Sequence, residues 1–283
     1  MKMLITGSNG FVGKNLAEFF QKRYENVFCP KRAELNLVDA QAVRDYLVAH
    51  QFDVVIHAAV TTTSVEQNLQ MYFGLERCSG SFGRMLSIGS GAEYDLRHYV
   101  PKMKEEYFGT HIPTDIYGFS KYVMARDIEK LPRNIVNLRV FGIYGRHENY
   151  KRRFISNNIC RVLSGLDIAV NRNVAFDYLY ITDFLAITEW FMRAEPKCRS
   201  YNICTGNSVD LLTLANLIRK IDGGNRIITI KKDGMNPEYT GDNTRFLSEF
   251  GDYPFIDHET AVRDLYHWYE DPVNYTPNPA EFS

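Results

Sequence analysis

Tyr117 and Lys121 stand four residues apart in the stretch PTDIYGFSKYVMARDIEKL. On a helix that spacing puts both side chains on one face. A phenol has a solution pKa of about 10 and is a poor proton shuttle near neutrality. A nearby ammonium favours the phenolate and lowers that value. Such a pair can pass a proton to or from a carbonyl or alcohol oxygen. Ser90, in LSIGSGAEY, precedes Tyr117 by 27 residues, and its hydroxyl can hydrogen-bond the same oxygen. Taken alone, a Tyr-x-x-x-Lys spacing is common on solvated helix faces. Its meaning depends on what positions it.

Pro113, Thr114 and Asp115 supply start signals for the helix that carries Tyr117 and Lys121. Ser90 ends a short apolar run, FGRMLSIGS, that reads as a strand. Near the N-terminus the strand MKMLITG runs into Gly7, Gly10 and Gly13 of GSNGFVG, and a helical pattern follows with Leu16, Ala17, Phe19 and Phe20. Glycines between a strand and a helix allow a tight turn and close approach to a pyrophosphate, which the helix N-terminus then attracts. A three-glycine pattern is weak evidence alone, and the strand–turn–helix context strengthens it.

The other elements follow the same alternation. NVFC, FDVVIHAA and NIVNLRVFGIYG read as further strands, and LVDAQAVRDYLVAH as a helix. Alternating strands and helices predict an α/β fold with a doubly wound parallel sheet, which binds ligands at the carboxyl ends of its strands. The second half is more mixed. RFISNNICRVLSG and LLTLANLIRKI have helical periods, and RIITIK reads as a strand. AFDYLYITDFLAITEWFM reads as a strand entering a helix with Thr182 or Asp183 as N-cap, and YTPNPAEFS as a loose tail. The expected organisation is a dinucleotide-binding unit over 1–150, with 174–204 returning to it, and a smaller mixed α/β substrate-binding unit over 151–283.

Composition narrows the class. A net charge of −1 with dispersed bases argues against nucleic acid or an anionic membrane as partner. Five scattered cysteines without a CxxC pair argue against a disulfide framework or a zinc site, and no metal is expected. The start lacks the pattern of a signal peptide, and no apolar run approaches a membrane span. A cytoplasmic protein is expected.

With these motifs in place, the chain resembles the extended short-chain dehydrogenase/reductases of the nucleotide-sugar epimerase, dehydratase and reductase type. LITGSNGFVG resembles that family's cofactor loop, DVVIHAA its stretch beside the cofactor, SIGSGAEY its serine motif and YGFSK its catalytic helix. RVFGIYG, FDYLYITD and EYTGDNTRFLSEFG resemble later segments. The resemblance implies a Rossmann-type fold, NAD(P) and a nucleoside-diphosphate sugar. It implies Tyr117 as acid/base, Lys121 as the group that lowers its pKa and holds the nicotinamide ribose, and Ser90 as the hydroxyl that orients the sugar oxygen. For the cofactor it implies Gly7, Asn9, Gly10, Phe11, Val12, Gly13, Asn36, Leu37, Ala58, Ala59 and a structural His57. By family analogy it also implies a homodimer.

Residues absent around the serine narrow the reaction. Dehydratases of the family carry an Asp-Glu pair after the serine, where this chain has Gly91 and Ala92. Fucose-synthase-like enzymes carry a Cys and a His where this chain has Ala92 and Arg153, and a guanidinium scarcely deprotonates. Two reactions remain: NADPH-dependent reduction of a 4-keto sugar, and NAD-dependent 4-epimerisation. A non-catalytic NAD(P)-responsive protein is a third class, which the intact Ser90, Tyr117 and Lys121 weigh against. About 24 residues after Gly7, where an acid usually marks NAD, stand Lys31 and Arg32. Bases there suit the 2′-phosphate of NADP(H), with NAD(H) as the alternative. That choice favours the reductase. Arg153, Arg172 and Arg245, with Arg152 behind them, are candidates to hold the diphosphate, and Thr61, Thr62, Thr63 and Gly91 to line the sugar site.

Overall fold

Along the first strand Met3 and Ile5 point to one face and Leu4 to the other, and all three are fully buried. A strand apolar on both faces must be covered on both. In the computed structural model, which describes residues 1–282, that is what the helices do. The first half runs β1 (Lys2–Thr6), α1 (Phe11–Gln21), β2 (Asn26–Phe28), α2 (Ala40–His50), β3 (Phe52–His57), α3 (Val65–Glu76), β4 (Phe82–Ser90), α4 (Ile116–Lys130) and β5 (Ile135–Val140). The second half runs β6 (Gly142–Tyr144), α5 (Phe154–Leu163), β7 (Ile168–Val170), β8 (Ala175–Phe176), β9 (Tyr178–Tyr180), α6 (Ile181–Arg193), β10 (Ser200–Ile203), β11 (Val209–Asp210), α7 (Leu211–Ile221), β12 (Ile228–Ile230), α8 (Thr244–Phe250) and α9 (His258–Glu270).

Six parallel strands form the central sheet in the order β2-β1-β3-β4-β5-β10. On one face Leu16 and Phe20 of α1 and Phe184, Ile187 and Phe191 of α6 pack with Met3, Ile5, Val54, Ile56 and Leu86. On the other, Val43, Leu47, Tyr72, Leu75, Met124 and Ile128 from α2, α3 and α4 pack with Leu4, Val55 and Met85. The doubly wound sheet is therefore borne out. Its strand order reverses at β1, so the crevice between the carboxyl ends of β1 and β3 is the switch point.

The chain returns to this sheet late: β10 pairs with β5, and α6 covers the α1 face. The remaining strands form three small pairs, β6 with β9, β7 with β12 and β8 with β11. Three local expectations are corrected. NIVNLRVFGIYG is two strands, because β6 leaves the sheet after Phe141 to pair with β9. Helix α6 starts earlier than its polar residues suggest, with Tyr180 as N-cap and no side-chain cap. Asp183 instead accepts from the Tyr253 hydroxyl and the Ile256 amide. The tail is anchored, since Tyr275 is buried and its hydroxyl bonds Ser164 at 2.7 Å.

The end of β4 is held by a buried carboxylate. Gly91–Glu93 make one 3₁₀ turn, which brings Glu93 back under Ser90. Glu93 accepts the Ser90 amide at 2.9 Å, the Asn137 amide at 2.9 Å and Arg139 Nε at 2.6 Å. Arg139 donates onward to the Tyr94 hydroxyl at 2.9 Å and to Asn202 Oδ1 at 3.3 Å. Gly89 makes room for this cluster, because a Cβ there would lie 2.2 Å from Asn137 Oδ1 and 2.4 Å from Glu93 Oε1. Both charges are essentially unexposed. Removing one partner of such a pair strands the other. Glu93→Ala is therefore expected to lower the unfolding free energy by about 3–5 kcal/mol in a urea titration. Glu93→Gln, which keeps an acceptor, should lose less; a loss below about 1 kcal/mol for the alanine variant contradicts this role.

Candidate active site

A cleft of about 810 Å³ opens over the carboxyl ends of the central strands. Its floor is built by Gly7, Gly10 and Gly13 after β1, by Ala58 and Ala59 after β3, and by Ser90 at the end of β4. Its far wall comes from the second half, with Arg153, Phe176, Tyr178 and Tyr239. A smaller hollow of about 190 Å³ adjoins it, lined by Asn9, Pro30, Arg32, Asn36 and Leu37 among others.

The glycine turn meets the steric demands of a dinucleotide cradle. Gly7 has φ +72°, and a Cβ on it would lie 2.6 Å from the Ala59 backbone. A Cβ on Gly13 would lie 2.1 Å from the Gly7 carbonyl oxygen, so the helix packs directly on the turn. Gly10 is the N-cap of α1, and no side chain caps the helix there. Its first amides, beside Phe11 and Val12, are free to meet an anion in the cleft. The residues present fit a pyrophosphate at this point.

The two bases after β2 are separated by the backbone. The Glu34 amide donates to the Lys31 carbonyl, and the Lys31 amide to the Glu34 carboxylate at 2.7 Å. This turn leaves Lys31 exposed and off the wall, while Arg32 lines both the hollow and the main cleft. Counting residues points to Lys31 first; of the two bases, Arg32 is the one that lines the hollow. No carboxylate lines the hollow.

Ser90 sits at the strand end in extended conformation, and its hydroxyl accepts the Ala92 amide at 3.2 Å. Tyr117 lies in the first turn of α4, whose N-cap Asp115 accepts the Gly118 amide at 2.8 Å. Tyr117 is half-buried and faces the cleft beside Ser90. Burial pushes its phenol above the usual value; the Ser90 hydroxyl pulls it down, Glu93 pushes it up, and Arg153 pulls it down. Lys121 is buried and donates to the Ile88 carbonyl at 2.5 Å. Burial lowers its pKa to about 8, partly offset by Glu93. The resemblance implies that Lys121 lowers the Tyr117 pKa; here the Lys121 ammonium donates to the Ile88 carbonyl of β4, and Arg153 is a further cation that lowers the phenol. His57 is fully buried beneath the floor, with Nδ1 2.9 Å from the Thr6 hydroxyl. Burial, then Lys121, drives its pKa to about 3, so it is neutral.

The substrate-side candidates separate. Arg153 and Thr61 line the cleft. Arg172 and Arg245 do not: Arg245 is spent on Glu106 at 2.8 Å and the Ser200 carbonyl at 3.1 Å. Gly91 is not wall either, since the Tyr239 hydroxyl lies over it. Tyr178, Tyr239 and Glu148 are wall residues that sequence reasoning missed. Nothing in the periodicity of FDYLYITD or EYTGDNTRF says which tyrosine faces inward. No cluster of His, Cys, Asp and Glu among the described residues has the grouping of a metal site. No helix among them is long and apolar enough to cross a membrane.

A glycine-turned helix N-terminus at the switch point of a parallel sheet, with a Ser–Tyr pair across the cleft, is the architecture of a Rossmann-type dinucleotide-binding enzyme. Residues 3–204 match the model of the NAD dependent epimerase/dehydratase family, and the chain belongs to that family. It is 23% identical over 312 residues to GDP-L-fucose synthase of Escherichia coli K12, covering 95% of this chain and 96% of that protein. It is 27% identical over 168 residues to ADP-L-glycero-D-manno-heptose-6-epimerase of Brachyspira hyodysenteriae, an alignment that spans 53% of either chain. The fold is shared with GDP-mannoheptose C4 reductase of Campylobacter jejuni with NADP bound, at TM-score 0.81, 20% identity and coverage of 95% and 98%.

Glu148 gives a pH prediction. Burial pushes its carboxyl up to about 7, and the Ser156 hydroxyl that donates to it only partly offsets this. The folded state therefore holds this proton where the unfolded chain, at about 4.3, has lost it. Its contribution to stability falls as pH rises through that window. Glu148→Gln is expected to raise the urea midpoint above wild type at about pH 8, with the gap closing toward about pH 4.5. An equal gap at both pH values contradicts the shift.

Proposed function

We propose that the protein reduces the 4-keto group of a nucleoside-diphosphate sugar with NADPH. When bound, the dinucleotide supplies the hydride. Tyr117 supplies the proton to the carbonyl oxygen, and Ser90 orients that oxygen. The unit over 1–150 with 174–204 holds the dinucleotide, and most of 151–283 holds the sugar nucleotide, with Arg153 toward its charge.

The observation that carries this reading is the chemistry of the cleft wall. Its lining contains no Cys, His, Lys or Asp. The one carboxylate, Glu148, is bonded to the Ser156 hydroxyl through one oxygen and buried at the other, away from Ser90 in sequence and on the far wall. A reaction that moves a second proton, at a carbon beside the ketone, needs an open base. Hydride transfer with one proton does not. Arg32 at the hollow, with no acid opposite it, supports NADPH over NADH. The GDP-sugar enzymes among the relatives support the substrate class.

Two measurements test it. NADPH oxidation is expected with a GDP- or dTDP-linked 4-keto-6-deoxyhexose, and Tyr117→Phe should cut kcat/KM at least about hundredfold. No oxidation with either sugar contradicts the reading. Arg32→Ala should raise KM for NADPH about tenfold, the loss of one charge-assisted contact, with NADH little changed. Lys31→Ala should leave both cofactors unaffected, and a larger effect from Lys31 than from Arg32 contradicts the assignment.

A further inference from the structure

Ser90 has two phenols beside it, not one. Tyr239 arrives from the far wall, 122 residues after Tyr117 in sequence, and lines the same cleft. Ser90, Tyr117 and Tyr239 line one cleft, and the Tyr239 hydroxyl lies against Gly91, the residue after Ser90. The position is built. The Tyr239 amide donates to the Ala175 carbonyl at 3.0 Å, and its own carbonyl accepts the Asp177 amide at 3.1 Å. The ring packs on Tyr99, Phe141 and Phe176, with centroids 5.1, 5.5 and 5.9 Å away.

Position 91 is what admits the hydroxyl. A Cβ on Gly91 would lie 2.4 Å from Tyr239 Oη and 2.8 Å from the Phe141 ring. Any larger residue after Ser90 therefore displaces this phenol. The glycine that removes an acid from the serine motif also makes the space that Tyr239 fills.

The two phenols cannot share a role. Burial raises the Tyr239 phenol above its ordinary value, and the nearby Tyr117 raises it further. When one of two close acids ionises, the other is held protonated. The reductase reading gives the transferable proton to Tyr117 on α4, which leaves Tyr239 on the far wall as the hydroxyl that keeps its proton.

We propose that Tyr239 is a second hydrogen-bond donor to the substrate oxygen, opposite Tyr117 and sharing Ser90 with it. This rests on the reductase reading. As hydride reaches the carbonyl carbon, negative charge grows on that oxygen. Tyr117 transfers its proton there, while Tyr239 keeps its own proton and donates a hydrogen bond. Such a donor acts chiefly in the transition state, so its loss falls on kcat more than on KM.

The test compares wild type, Tyr239→Phe, Gly91→Ala and the double variant. Each is assayed for NADPH oxidation with GDP- and dTDP-linked 4-keto-6-deoxyhexoses. Tyr239→Phe is expected to lose about hundredfold in kcat/KM, mostly in kcat, as for a missing oxyanion donor. NADPH binding and melting temperature should stay at wild-type values. Gly91→Ala should lose activity by moving the same hydroxyl, and should cost much less when Tyr239 is already Phe. An active wild type with Tyr239→Phe within threefold of it overturns this inference alone. An inactive wild type overturns the reductase reading, and this inference with it. If Tyr239→Phe lowers the melting temperature, the Gly91→Ala comparison decides: a Gly91→Ala enzyme of unchanged kcat overturns the proposal.

Discussion

A buried carboxylate, Glu93, is the constraint from which the site is built. It reaches the Ser90 amide, the Asn137 side chain and the Arg139 guanidinium within a space that a Cβ on Gly89 would close. Two charges out of water are costly unless their hydrogen bonds are made. Here Arg139 also donates to Tyr94 and Asn202, while its Nη2 lies 3.7 Å from Glu129 without a hydrogen bond. Asn202, on β10, donates to the carbonyls of Met103 and Asp242 and so ties in the segment that follows Tyr239. One ion pair thus fixes the serine turn against β5, β10 and the far wall. It also sets the charge behind the cleft, since Glu93 raises both the Tyr117 and the Lys121 pKa.

That placement changes what the serine motif can do. An acid next to a catalytic serine suggests a second proton donor. Glu93 is instead folded inward by a 3₁₀ turn and consumed by the scaffold. What faces the cleft beside Ser90 is phenolic: Tyr117 on one side and Tyr239 on the other. On the proposed reading, the wall supplies hydrogen bonding and a single proton transfer.

Much of the sheet was legible because its signals are local and periodic. Met3, Leu4 and Ile5 announce a strand covered on both faces, and Gly7, Gly10 and Gly13 announce the turn that follows. The Ser90–Tyr117 spacing was legible for the same reason, each residue ending or starting a recognisable element. Choosing between Lys31 and Arg32 was not, because it depends on a turn closed by the Glu34 carboxylate, which counting residues does not reveal. Tyr239 was invisible for a different reason. It sits in an irregular segment, and its place beside Ser90 depends on pairings with Ala175 and Asp177 far along the chain. Arg245 lies off the cleft lining and is held by Glu106, and sequence cannot tell a free guanidinium from one already paired.

The central claim is that this cleft moves one hydride and one proton and nothing else. Isotope tracing tests it most directly. The 4-keto sugar would be reduced once with NADPH deuterated at the transferred position, and once with ordinary NADPH in D₂O, with products read by NMR. The account predicts deuterium from the cofactor at the former carbonyl carbon, and no solvent deuterium on any carbon of the product. Solvent deuterium beside that carbon, or a product formed without net oxidation of the cofactor, would contradict it.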